Sequence, residues 1–122
     1  IILLAALPMG AYAASAIQSA EIELNAEPGI DAESWDSFIN VKTKGLILDD
    51  VYIYDYYGDF VSDEFELGME YEFYIYLNVE DGFELPDSIY EIEEVTVNGE
   101  NVDFELYAMG EDEDEYNYIE IY

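Results

Sequence analysis

The chain of 122 residues contains no cysteine and no histidine, and its only basic side chains are Lys42 and Lys44. Without cysteine there is no disulfide framework, no thiolate metal site and no thiol to carry a lipid. Without histidine as well, neither a Ser-His nor a Cys-His nucleophile pair can form. The scarcity of Lys and Arg removes the arginine finger and the basic clamp of phosphoryl transfer, and no glycine-rich phosphate loop is present. The 31 acidic residues admit many carboxylate pairs, and that abundance singles out none of them as the pair of a glycoside hydrolase. The chain is expected not to be an enzyme.

A long apolar run is missing too. Residues 1–16, IILLAALPMGAYAASA, carry no charge, but Pro8 and Gly10 interrupt them, and the remainder is too short to span a bilayer. An apolar run followed by small residues reads as the end of a secretory signal peptide. Two A-x-A patterns are offered, Ala11-Tyr12-Ala13 and Ala14-Ser15-Ala16, with cleavage after Ala13 preferred and after Ala16 the alternative. The expected product is one domain over residues 17–122, secreted or at the cell surface, with no membrane insertion once the signal is gone. The chain starts at Ile1 rather than Met and stops at Tyr122 within strand-like sequence, so a fragment of a longer frame with further domains is expected.

The formal net charge is −29. Such a surface repels nucleic-acid phosphates and anionic lipid, which excludes nucleic acid as a partner. High charge with low hydrophobicity signals disorder, yet 52% of this chain is apolar and the apolar residues alternate. Residues 71–79 show it best: Tyr71, Phe73, Ile75, Leu77 and Val79 point one way, and Glu72, Tyr74, Tyr76 and Asn78 the other. That is a strand with one buried face, and Phe73, Ile75 and Leu77 are its core residues. Alternation also predicts strands over 17–24, 35–43 (Ile39, Val41 and Thr43 against Phe38, Asn40 and Lys42) and 46–57 (Val51 and Ile53 against Tyr52, Tyr54 and Tyr56). Asn98-Gly99 between Val97 and Glu100 is a two-residue hairpin signal. A second hairpin through residues 110–115 pairs Leu106 with Ile119 and Phe104 with Ile121. All apolar side chains then share one face, predicting a three-stranded meander. Seven or eight short strands with frequent turns and no helix predict an all-β fold, an antiparallel β-sandwich.

Phe65-x-x-Gly68-x-x-Tyr71, Gly82-Phe83 and Val95-Thr96-Val97-Asn98-Gly99 resemble the immunoglobulin-like β-sandwich modules of secreted and cell-surface proteins of Gram-positive bacteria. The resemblance runs over about residues 17–122. It departs where those modules often carry Gly-Tyr-x-Phe and this chain has Gly82-Phe83-Glu84-Leu85. It implies a spacer or binding unit without an active site. Some such modules join a buried Lys to an Asn; here the parity of Ile39 and Val41 turns Lys42 and Lys44 outward, towards an ordinary ion pair.

Two groups of residues are candidates for a site. Tyr52, Tyr54, Tyr56, Tyr74, Tyr76, Tyr116, Tyr118 and Tyr122 all fall opposite the apolar parity of their own strands. In one sheet they would make an outer platform fringed by Asp50, Glu70, Glu72 and Glu120, suited to sugars or extended peptides. The same rings could serve only as cross-strand packing. The acidic run Glu111, Asp112, Glu113, Asp114 and Glu115 offers hard oxygen ligands for calcium, without EF-hand spacing; the competing reading is a solvated surface, and no cofactor is required. The function expected is a non-catalytic spacer or adhesion module. The alternative is a carbohydrate-binding module using the tyrosine face, with calcium as an option. A cell-surface glycan or protein is the partner in either case.

Overall fold

The structure is a computed structural model that describes residues 15–107 and 118–122. It is all-β, with two four-stranded sheets around one core and a two-stranded annex. The first sheet has the order β4-β5-β10-β9: β4 is Leu46–Asp55, β5 Tyr71–Val79, β9 Phe104–Tyr107 and β10 Tyr118–Ile121. The second has the order β3-β2-β7-β8: β2 is Ser19–Leu24, β3 Ile39–Val41, β7 Glu94–Val97 and β8 Glu100–Asn101. The annex pairs β1 (Ser15–Ala16) with β6 (Phe83–Glu84). Among the described residues no helix is long and apolar enough to cross a membrane.

The central strand lies where its alternation put it. Ile75 and Leu77 are fully buried and Phe73 is partly buried against the core. Leu77 is opposite Leu48 on one side and Ile119 on the other, and Ile75 opposite Val51 and Ile121. The register of β4 on β5 shifts by one between Leu48 and Asp50, a bulge at Asp49. Inward parity therefore changes from Leu46 and Leu48 to Val51 and Ile53 along one strand. The Asp50 carboxylate accepts a bond from the Val51 N–H at 2.8 Å beside the break in the ladder.

The hairpin at Asn98-Gly99 forms as expected. Both residues have positive φ, 53° and 83°, as a type I′ turn requires. Asn98 also anchors the turn to the neighbouring strand: its Oδ1 accepts from the Leu24 N–H and its Nδ2 donates to the Leu24 carbonyl, each at 2.9 Å. The pairs Leu106–Ile119 and Phe104–Ile121 are those the sequence predicts.

Four expectations are corrected. The meander does not exist as one sheet: β7 and β8 belong to the second sheet and β9 and β10 to the first. The chain crosses between them at Val102 and Asp103, where Val102 N–H still reaches the Val95 carbonyl and Asp103 carbonyl already receives the Tyr122 N–H. Parity survives the crossing because both sheets turn their apolar faces to one core. Pairing is not antiparallel throughout, since β2–β7 and β1–β6 are parallel. The strand expected over residues 35–43 begins only at Ile39: residues Ala32–Ser34 form a 3₁₀ turn capped by the Asp31 carboxylate, and Trp35–Phe38 a single helical turn, α1. Phe38 and Ile39 are thus both buried, which strict alternation forbids. Finally, the described residues form ten strand segments where seven or eight strands were expected, three of them only two residues long.

The Phe65-x-x-Gly68-x-x-Tyr71 segment closes one end of the core. Phe65 is buried, with its ring edge-on to Tyr71 at 4.9 Å and to Phe38 at 5.5 Å. The Tyr71 hydroxyl accepts from the Glu66 N–H at 2.8 Å. This motif is a structural plug, its backbone tied to Gly29 and Ile30 through Phe65. Lys42, exposed as expected, pairs with Glu23 at 3.0 Å.

Candidate functional site: the outer face of the first sheet

Inward residues of β4, β5, β9 and β10 fill the core, so their alternate residues form one outer face. Register sets its rows. Tyr52 lies opposite Tyr74, Asp50 opposite Tyr76, Tyr76 opposite Glu120, and Glu120 opposite Glu105. The rings meet edge to face, Tyr52–Tyr76 at 5.8 Å and Tyr54–Tyr74 at 5.6 Å along diagonals and Tyr74–Tyr122 at 5.9 Å between centroids. Edge-to-face contact sets positive ring edges against negative ring faces, worth roughly 0.5–1.5 kcal/mol a pair beyond area burial.

A hollow of about 440 Å³ opens on this face, lined by Tyr52, Tyr54, Tyr74, Tyr76, Glu72 and Glu120 with Gly58 at its edge. Its volume lies in the range of about 300–1,000 Å³ common for ligand sites. A smaller hollow of about 320 Å³ lies between the two sheets and is mostly apolar, with Leu24, Phe73, Val97 and Val102 in its wall. Tyr71, Glu72, Tyr74 and Tyr122 complete its wall. The tyrosine hollow combines both kinds of surface.

Its polar groups are phenols and carboxylates. The Tyr76 hydroxyl bonds Glu120, and that bond together with burial and the Glu120 charge raises the Tyr76 pKa well above the ordinary phenol value. Glu120 is only 7% exposed, flanked by core residues Ile119 and Ile121 in sequence and roofed on the outer face. A bond to Asp50 raises Tyr52, and the charge of Glu72 raises Tyr74, whose hydroxyl donates to Glu72 across a long 3.5 Å. At the β9 edge the Tyr107 hydroxyl donates to Glu105 at 2.7 Å, which pushes Tyr107 up to about 12. Burial, then a bond to Glu105, raises Tyr122, and bonds from Tyr107 and Tyr122 lower Glu105. The raised phenols, Tyr52, Tyr74, Tyr76, Tyr107 and Tyr122, thus stay protonated and able to donate.

Four of the expected tyrosines, Tyr52, Tyr54, Tyr74 and Tyr76, are brought together in the hollow, and Tyr122 joins their edge. Tyr56 does not belong to it. It is 71% exposed in the turn after β4, its ring edge-on to Tyr57 at 5.4 Å, and it lines a neighbouring hollow with Asp55, Glu70 and Glu72. Tyr118 opens β10 opposite Asn78 and Tyr107. Tyr116 and the run Glu111, Asp112, Glu113, Asp114 and Glu115 lie outside the described residues. Among the described residues no group of three or more acidic side chains is placed to hold a metal ion. Sequence reading missed two members of the face. Tyr107 follows Leu106, whose inward parity already turns its neighbour outward. Phe60 comes from the loop after β4, bridges to Tyr54 and sets its ring 6.1 Å from that tyrosine; no periodicity marks it.

No family model matches this chain, and neither a curated protein nor a solved structure is found similar to it.

Proposed function

We propose that this chain is a non-catalytic extracellular module, an immunoglobulin-like β-sandwich of a larger surface or secreted protein, that binds carbohydrate on the tyrosine face. The observation that carries the reading is the hollow itself, with four tyrosine rings and two carboxylates converging on one sheet face. Pyranose rings present apolar C–H patches beside hydroxyls. Rigid aromatic rings take the former at low entropic cost, while Glu72 and Glu120 accept hydrogen bonds from the latter. The sheet below holds these side chains on β4, β5 and β10, so little ordering is left to be done on binding. Export fits the signal-like residues 1–16; cleavage after Ala13 keeps Ser15–Ala16, whose strand pairs with Phe83–Glu84, whereas cleavage after Ala16 removes it.

A second reading, a spacer with no ligand, is favoured by the way the rings and hydroxyls already satisfy one another. The two separate in affinity electrophoresis across a panel of soluble polysaccharides and in pull-down on insoluble ones. The binding reading expects retardation by at least one glycan, abolished in Tyr54→Ala/Tyr76→Ala. Free migration on every glycan supports the spacer.

A further inference from the structure

Resting on the carbohydrate reading, we propose that the glycan taken by the tyrosine face carries free amino groups, as a polymer of de-N-acetylated hexosamine does. The hollow has negative ring faces and negative carboxylates and no basic side chain: the chain's only cations are Lys42 and Lys44, neither lines it, and Lys42 is paired with Glu23 on the second sheet. Glu120, 7% exposed, is held against the face with the Tyr76 phenol as partner and no counter-ion. A carboxylate offers about four lone-pair directions, so the bond from Tyr76 leaves acceptor capacity on Glu120, which lines the hollow. Glu72, exposed at the rim, makes only the long bond from Tyr74. What the site lacks is a donor of positive charge.

An ammonium group supplies that lack twice. It donates three charge-assisted hydrogen bonds to carboxylates, and it is attracted to tyrosine ring faces within about 6 Å of their centroids. The chain's net charge of −29 concentrates cations near the surface and repels uronic or sulfated glycans. A basic peptide has the charge but lacks a backbone partner here. The hollow spans β4, β5 and β10; β5 and β10 are bonded on both edges, and the outer edge of β4 at Ile53–Asp55 is taken by Asp59–Val61, so an extended peptide finds no free strand edge beside Tyr54. An amino sugar brings an apolar ring face for the tyrosines and an ammonium for the carboxylates in one rigid unit.

The test is calorimetric titration of the whole chain in 150 mM NaCl with three probes: a glucosamine tetramer, an N-acetylglucosamine tetramer and tetralysine. The expected result is saturable one-site binding of the glucosamine tetramer, at least tenfold tighter than of the other two. It should be lost in Tyr54→Ala/Tyr74→Ala, which leaves the charge unchanged, and weakened about three- to tenfold in Glu72→Gln. Glu91→Gln, in a turn away from this face, should bind as wild type. Circular dichroism checks each fold, and exposed Glu72→Gln decides the case should the tyrosine variant unfold. Equal binding of the two sugars overturns the amine requirement and leaves the carbohydrate reading standing. Binding of neither sugar overturns the amine requirement, and the polysaccharide panel then decides the carbohydrate reading by itself. Tetralysine binding as tightly as the amino sugar, or equal losses in Glu72→Gln and Glu91→Gln, reduces the effect to general charge attraction and overturns the proposal.

Discussion

Replacing Asn98 by glycine, alanine and aspartate separates the two tasks this residue performs, holding a left-handed turn and tying that turn to β2. The side chain makes two 2.9 Å bonds to the Leu24 backbone, both open to solvent, so each is worth about 0.5 kcal/mol, the low end for a net hydrogen bond. Asn98→Gly keeps access to φ 53° and loses both bonds, a cost of about 1 kcal/mol. Asn98→Ala loses the bonds and adds about 1–2 kcal/mol for a β-carbon in the left-handed region, about 2–3 kcal/mol in all. With a urea slope of about 1.5 kcal/mol per molar, the midpoints fall by roughly 0.7 M for glycine and 1.7 M for alanine. Asn98→Asp keeps the acceptor for the Leu24 N–H but sets a carboxylate oxygen against the Leu24 carbonyl, and should be no more stable than Asn98→Gly at neutral pH. Urea unfolding followed by tyrosine fluorescence reads all three. Midpoints equal to wild type refute the anchor; equal midpoints for glycine and alanine refute the left-handed turn.

Three further perturbations test other levels of the account. Leu77→Ala, at a fully buried position between Leu48 and Ile119, should cost about 2–5 kcal/mol and Tyr74→Ala clearly less; equal losses would show the inward and outward faces to be misassigned. Raised phenol pKa values contribute stability that is present below the unfolded value near 10 and lost as pH climbs through the folded values. Thermal stability should therefore fall between pH 10 and about 12, the value of Tyr107, and absorbance titration in which every tyrosine of the folded protein ionises together near pH 10 would contradict it. A charge of −29 repels itself within a Debye length of about 8 Å at physiological salt, so the melting temperature should rise from 10 to 150 mM NaCl. At fixed ionic strength calcium should add no saturable increment, and a clear one would contradict the reading of the acidic residues as a solvated surface.

How far the sequence could be read follows from the range over which each signal acts. The alternating strand Tyr71–Val79 was legible because its alternation is local and uninterrupted. The Asn98-Gly99 turn was legible because only a few residue pairs tolerate positive φ twice running. The Leu106–Ile119 register followed from parity alone. Parity, however, reports inside or outside and never which sheet, so the crossing at Val102–Asp103 and the parallel partnership of β2 with β7 were invisible. The bulge at Asp49 was there to be read, since Leu46 and Leu48 are of one parity and Val51 and Ile53 of the other. The helical turn Trp35–Phe38 hid behind the consecutive buried pair Phe38 and Ile39. Of the face itself, β4 and β5 were legible; Tyr56 was lost to the turn that ends β4, and Phe60 came in from a loop.

The central claim, that the outer face of the first sheet is a carbohydrate site, is tested most directly by where a ligand touches. Tyrosine-labelled protein should be titrated with the best-binding oligosaccharide of the panel while ring resonances are followed by NMR. Tyr52, Tyr54, Tyr74 and Tyr76 should shift together along one saturation curve, while Tyr90, 92% exposed and remote from the hollow, stays still. Shifts confined to other tyrosines, or none at saturating sugar, would contradict the account.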